Sequence, residues 1–182
     1  LHTPEEQQPA TLTYRVGGYD PAKLDIEHLN RAFNAEVKAG RLSYTDASWN
    51  TTGADLGRWL HGRGVQSNHI HHIDARDSVG KTQLELQARE SLLSLYRFLR
   101  KQPGLEDLTI EYVAPECGVR ETVTICGEAT VTVHDYQSGR LWEDAVCYSF
   151  YPIDLHVSSG SGLNKEMLTE GVVPTIPRAA MI

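Results

Sequence analysis

Cysteine is scarce in this chain: Cys117, Cys126 and Cys147 are the three in 182 residues. An odd number without a Cys-x-x-Cys pair argues against a disulfide scaffold, and buried free thiols are the expected state. No apolar run approaches the roughly twenty residues needed to cross a bilayer, and no basic-then-apolar leader opens the chain. Basic residues are outnumbered, 17 Lys and Arg against 24 Asp and Glu, which leaves a net charge of −7. That balance speaks against a nucleic-acid surface, where phosphates require clustered cations. A Gly-x-Gly-x-x-Gly turn between strand and helix is also missing. Gly53-Ala54-Asp55-Leu56-Gly57 and Gly62-Arg63-Gly64 have the wrong spacing and context for cradling a diphosphate. Gly160-Ser161-Gly162 is no Gly-x-Ser-x-Gly elbow, because it sits in a Ser/Gly loop without a strand-to-helix turn.

What remains is the composition of a soluble globular protein, 40% apolar and 23% charged, long enough for one domain with a real core. Ala10, Leu12, Tyr14 and Val16 alternate with Thr11, Thr13 and Arg15, the pattern of a half-buried strand ended by Gly17-Gly18. Asp20-Pro21 opens a helix with a buried stripe of Leu24, Leu29, Phe33 and Val37, flanked by Ile26. Residues 42–64 read as short strands and loops anchored by Trp49 and Trp59. A strand is expected over 65–74. Asp77 or Ser78 caps the longest helix, about Val79 to Lys101, with Leu84, Ala88, Leu92, Leu95 and Leu99 inward and Leu86 and Leu93 widening the face. Leu108, Ile110 and Tyr112 predict a further strand, and residues 172–177 a proline-broken edge strand. Without regular β-α-β alternation the class is α+β, a mostly antiparallel or mixed sheet against two long helices.

The richest stretch runs from Cys117 to His156. Val119, Val123 and Ile125 alternate with polar residues, as do Ala129, Val131 and Val133, which predicts two strands. A helix-permissive segment around residues 142–146 and a strand over 147–156 follow. Arg120 on such a strand can hold a carboxylate through two parallel hydrogen bonds; equally, Arg120-Glu121 can be an internal ion pair that locks the strand. Asp154 and His156, two apart behind Tyr151 and Pro152, make a natural acid–base pair or a hydrogen-bonded sheet-end histidine. His69 and His71 share a strand face and invite a metal reading. The His-x-His-x-Asp-His pattern fails, because Ile73 and Asp74 occupy the aspartate and histidine positions, and a polar strand face beside a ligand site is the plainer account.

This stretch resembles one bacterial family. The order Val119-Arg120-Glu121, Gly127-Glu128, Ser138-Gly139-Arg140, Trp142-Glu143-Asp144-Ala145 and Tyr151-Pro152-Ile153-Asp154-Leu155-His156 looks like the FAD-dependent oxidoreductases. Residues 8–20, the Asn68-led strand with its long helix, and Ile176-Pro177-Arg178 extend the resemblance over nearly the whole chain. It implies a small-molecule substrate that gives a hydride to FAD in a full-length parent. His156 and Arg120 become the expected catalytic residues, and Asn68, Glu121, Tyr151 and Asp154 the expected substrate contacts. With no dinucleotide turn, and with an abrupt opening at Leu1-His2-Thr3-Pro4, the chain is expected to be a single substrate-binding (cap) domain partnered by an FAD-binding domain of the same polypeptide. The isolated piece is not expected to hold FAD or to bind nucleic acid, and its compartment stays open between cytoplasm and periplasm. The alternative is a non-catalytic α+β module for a carbohydrate-like small ligand.

Overall fold

A computed structural model describes residues 7–64, 68–120, 122–156 and 164–182. Two compact units result: the larger holds the described residues up to Thr122 together with His156, the smaller holds Val123–Leu155 and Asn164–Ile182. The class is α+β, as expected, with the strands arranged as four two-stranded antiparallel ribbons.

The larger unit is built on residues 10–17. Ala10, Leu12, Tyr14 and Val16 are all buried, the period-two burial that the alternation predicts. Strand β1 (Ala10–Thr11) pairs with β3 (His69–Ile70), and β2 (Tyr14–Gly17) pairs with β4 (Thr109–Val113) through a bulge between Arg15 and Val16. Thr11 also exchanges backbone hydrogen bonds with Gly118 at 3.0 and 2.8 Å. The 10–17 segment is thus held by partners from three distant parts of the chain.

Helix α1 covers Ile26–Lys38 and is capped by Asp25, which accepts from the His28 N–H. The Asp20-Pro21 signal starts only a short 3-10 turn, Pro21–Lys23, so the expected single helix is divided at two competing carboxylate caps. Leu29 and Phe33 are its buried face. Phe33 meets Phe98 and Tyr44 with ring centroids 5.9 and 6.1 Å apart and tilted planes, an aromatic knot that ties α1 to its neighbours.

Residues 42–64 depart from the expected strands. A 3-10 turn spans Tyr44–Asp46 inside a Ser43/Asp46 capping box, and helix α2 spans Leu56–His61. Leu56, Trp59 and Leu60 are buried; their spacing of three and four is helical, and Asp55 accepts from the N–H groups of Gly57 and Arg58 to start the helix.

Helix α3, Ser78–Leu99, buries Leu84, Ala88, Leu92, Leu95 and Leu99, the expected stripe. Leu86 and Leu93 lie outside it, 66% and 40% exposed, so the apolar face is narrower than expected. Its start is tight. Asp77 accepts from the Gly80 N–H at 2.8 Å, and a Cβ at Gly80 would lie 1.7 Å from the Asp74 carbonyl oxygen.

The smaller unit contains α4 (Val133–Gln137), β5 (Ala145–Tyr148), β6 (Ile153–Leu155), β7 (Asn164–Glu166) and β8 (Thr175–Pro177). β5 pairs with β8 and β6 with β7. The expected strands over 119–127 and 129–133 do not form among the described residues: 122–132 is irregular, and Val133 opens a helix because Thr132 and Asp135 cap it reciprocally. Residues 142–146 are not helical either, since β5 starts within them, and in the expected edge strand only Thr175–Pro177 pairs. Cys126 and Cys147 are exposed, so of the three free thiols only Cys117 is buried as expected. Val123, Ile125 and Val133, the alternating residues, are exposed: alternation without a partner strand leaves nothing to bury. No buried hydrophobic core residue lies in this unit among the described ones. Polar bonds hold it instead. Arg140 stacks 3.6 Å over Trp142 and pairs with Asp135 at 2.8 Å, and the Thr175 hydroxyl accepts from the Trp142 N–H at 2.9 Å while donating to the Arg140 carbonyl.

Two stability predictions follow from α3. Leu92→Ala should cost roughly 2–5 kcal/mol, whereas Leu86→Ala should stay within about 0.5 kcal/mol; urea midpoints that fail to separate the two would mean the buried face is misassigned. Gly80→Ala should destabilise even though alanine favours helix by about 1 kcal/mol, because the methyl has nowhere to go. A raised melting temperature would contradict that contact.

Candidate functional site

Strand β3 delivers the site. Its pairing with β1 sets His69 opposite Thr11 and buries it, while the chain turns sharply just beyond: His72 has φ 59°. That left-handed conformation is uncommon without glycine, though histidine is among the residues that tolerate it. His71, between them, lies just past the end of β3 and lines the same open pocket as His69, while His72 is exposed with its ring 5.9 Å from that of His71. The expected shared strand face of His69 and His71 does not form, because β3 ends at Ile70. The pocket measures about 540 Å³ and is walled by residues 40–46, by β3 and by the Gln87–Ser94 side of α3.

Beneath it runs a chain of hydrogen bonds. Asn68, fully buried, donates from Nδ2 to Ser91 Oγ at 2.6 Å, and Ser91 donates to Asp46 Oδ1 at 2.6 Å. Asp46 Oδ2 accepts from the Ser43 N–H at 2.7 Å, and the Asp46 carbonyl accepts from the buried Tyr14 hydroxyl at 3.4 Å. Burial pushes the Asp46 carboxyl above the usual carboxylate range, against the two hydrogen bonds that favour its charge. Asn68 Oδ1 is buried with no hydrogen-bond partner.

His69 Nε2 lies 3.2 Å from His156 Nδ1, with rings 5.1 Å apart and within 22° of parallel. One nitrogen must donate and the other accept, so at that contact the pair shares one proton. The His156 backbone N–H donates to Gln8 Oε1 at 2.8 Å. His71 differs: both ring nitrogens are buried and neither has a hydrogen-bond partner among the described residues. Burial first, and the neighbouring His72 second, hold it below the ordinary histidine range, so the neutral ring, one donor and one acceptor, is the favoured form.

The other expected site residues are scattered. Arg120 is exposed and lies on no strand; its expected partner Glu121, and with it the strand-locking pair, lies outside the described residues. In the smaller unit the Tyr151 hydroxyl donates to Asp154 Oδ2 at 3.3 Å, and Tyr136 donates to the Tyr151 carbonyl at 2.6 Å. His156 follows β6 rather than lying on it. Among the described residues no group of three or more His, Cys, Asp or Glu is arranged to hold a metal. Cys117 is no nucleophile: burial, with Glu85 alongside, pushes its thiol up to about 12. Asp46 and Ser91 were not expected as site residues, and His71 was weighed only as a metal ligand. Ser43-x-x-Asp46 has capping-box spacing, and Ser91 falls three residues after Ala88 on the buried stripe, so both carried a signal.

The depressed His71 has a consequence for stability. Its folded pKa lies below the ordinary value of 6.5, so the unfolded chain takes a proton that the folded chain refuses. Its stabilising contribution is complete above that value and is lost as pH falls from it toward the folded pKa. Relative to His71→Gln, the parent chain should therefore lose denaturation midpoint more steeply between neutral pH and about pH 5. Parallel slopes would remove the assignment.

Comparison with known proteins gives one match. The family model described as FAD dependent oxidoreductase matches residues 2–182. No curated protein and no solved structure matches the chain. A match over nearly the full length, with the motifs in order from residue 8 to residue 178, establishes that this chain belongs to the FAD-dependent oxidoreductase family.

Proposed function

We propose that this chain is the substrate-binding portion of an FAD-dependent oxidoreductase, and that the flavin is held by another part of the same polypeptide. FAD, when bound there, supplies the hydride acceptor for a small-molecule substrate. The observation that carries this reading is how the long helices begin. A dinucleotide places its diphosphate on backbone N–H groups at a helix start. At α3 that place is taken by the Asp77 carboxylate and by the Asp74 carbonyl packed against Gly80. At α1 it is taken by Asp25, with Glu27 in the first turn. A diphosphate would meet carboxylates at both, so these helix starts do not fit the FAD diphosphate, although the family uses FAD.

The smaller unit supports a neighbouring domain. Val146, Tyr148 and Phe150 on and beside β5 are 50%, 66% and 75% exposed, a run of apolar side chains without cover, of the kind that marks an interaction surface. In this reading the FAD-binding domain covers it.

Within the substrate-binding portion, His156 is the proposed proton acceptor. Its partner His69 gives the ring a defined hydrogen bond and a second imidazole to share charge with. Arg120, exposed and on the same unit, is the proposed anchor for an anionic or hydroxylated substrate. Asn68, Glu121, Tyr151 and Asp154 remain the proposed substrate contacts.

Two measurements test the reading. The purified 182-residue chain, mixed with FAD and desalted, should emerge colourless; a stoichiometric yellow flavin would sink the division of labour and favour a complete flavoprotein. In the flavin-loaded full-length protein, His156→Ala should lower turnover by about 10²–10⁴, and Arg120→Ala should raise KM, with flavin content and melting temperature unchanged. Turnover per folded molecule equal to the parent's would assign both residues to structure alone.

A further inference from the structure

We propose that the pocket between residues 40–46, β3 and α3 is a binding site for a neutral polyhydroxylated molecule, a sugar or polyol, held through both ring nitrogens of His71. As a binding site this stands on its own; that the bound molecule is the substrate rests on the oxidoreductase reading.

The lining selects the class. At about 540 Å³ the pocket is within the roughly 300–1,000 Å³ of small-molecule sites. Ser43, Thr45, Ser91 and Ser94 bring hydroxyls to its wall, against two aliphatic side chains, Leu42 and Ile70, so an apolar ligand would strip water from groups that it cannot pair. An anion is disfavoured, because Asp46 and Glu90 line the pocket. The lining's one guanidinium, Arg41, is held by both oxygens of Glu36 at 2.6 and 2.9 Å. What fits is a molecule that donates and accepts at once.

His71 makes the match specific. A neutral imidazole offers one N–H donor and one lone pair. Each of its nitrogens is buried without a partner among the described residues, so a hydroxyl-bearing ligand that the ring turns to meet supplies the bonds that the protein does not. Behind it, the Asn68–Ser91–Asp46 chain fixes the wall, so the site's hydroxyl positions are set before anything binds. A second cavity, of about 490 Å³ beside Trp49, lacks this fit: Arg58 already covers the Trp49 ring at 4.2 Å.

The test uses the full chain with imidazole NMR of His71. The probes are D-glucose, D-galactose, D-mannose, sorbitol and glycerol, with D-glucuronate as the anionic control. At least one neutral probe should shift the His71 ring signals, and D-glucuronate should bind more weakly than D-glucose. His71→Phe should weaken binding by about tenfold or more, as expected for losing two hydrogen bonds. His71→Gln, which keeps a donor and an acceptor, should retain most of it, and Trp49→Ala should leave it unchanged. No effect of any neutral probe on His71, stronger binding of glucuronate, or unaltered binding in His71→Phe would each overturn the site. In the flavin-loaded full-length protein the two claims separate. Sugar bound at His71 without flavin reduction removes the claim that the bound molecule is the substrate and keeps the site; flavin reduction with His71 unaffected by sugar keeps the oxidoreductase reading and removes the site.

Discussion

Burial of one face of residues 10–17 is the constraint on which the larger unit depends. Leu12, Tyr14 and Val16 are almost wholly buried, and they can be so only if the backbone between them is hydrogen-bonded elsewhere, since buried amides without partners are costly. The partners come from β3, from β4 and from Gly118. Pairing is therefore the condition for burial, and it fixes what each partner brings. β3 brings His69 and His71 to the pocket wall, and β4 brings Glu111, whose carboxylate meets Arg63 at 2.7 Å through both oxygens. A slip of one residue in the β1–β3 register would turn His69 away from His156 and expose the apolar face at once.

Asp46 links that core to the pocket. Its carbonyl receives Tyr14 from the middle of the buried strand, and its carboxylate receives Ser43 and Ser91. A buried polar network specifies a unique arrangement only when its members are satisfied. Among the described residues Asn68 Oδ1 is the member of this network left without a partner, and the nearby ring of His71 stands outside it, also without one. Both adjoin β3; another such group in the larger unit, the Trp59 indole N–H, lies on α2. The smaller unit leaves large apolar side chains such as Phe150 and Tyr148 outside.

How much of this the sequence revealed differs residue by residue. The strand at 10–17 and the stripe on α3 were legible because local pattern and tertiary burial agree there. Leu86 and Leu93 misled because they widen the stripe beyond what the core covers. Alternation over 119–133 looked like two strands, but a period of two states only which residues could share a face; it cannot supply a partner. Thr132 and Asp135 then decided the local structure through a capping box that alternation had masked. α2 was missed although Leu56, Trp59 and Leu60 have helical spacing, because surrounding Gly, Ser and Thr dominate the composition of residues 42–64. Of the site, His69, His71, Asn68 and His156 were legible as residue types. The Asn68–Ser91–Asp46 connection was not, since it joins residues 23 and 45 positions apart whose meeting depends on the packing of α3.

The three free cysteines divide between the units in a useful way. Cys117, in the larger unit, is shielded and keeps its proton, whereas Cys126 and Cys147 in the smaller unit are exposed. Thiol-directed labels react with the thiolate and need access, so a maleimide dye or spin label added to the native chain attaches to the smaller unit and leaves the larger one unmarked. The molecule thus carries its own selective attachment points, one of them on β5, beside the uncovered apolar side chains where a change in surroundings would be most visible to a reporter.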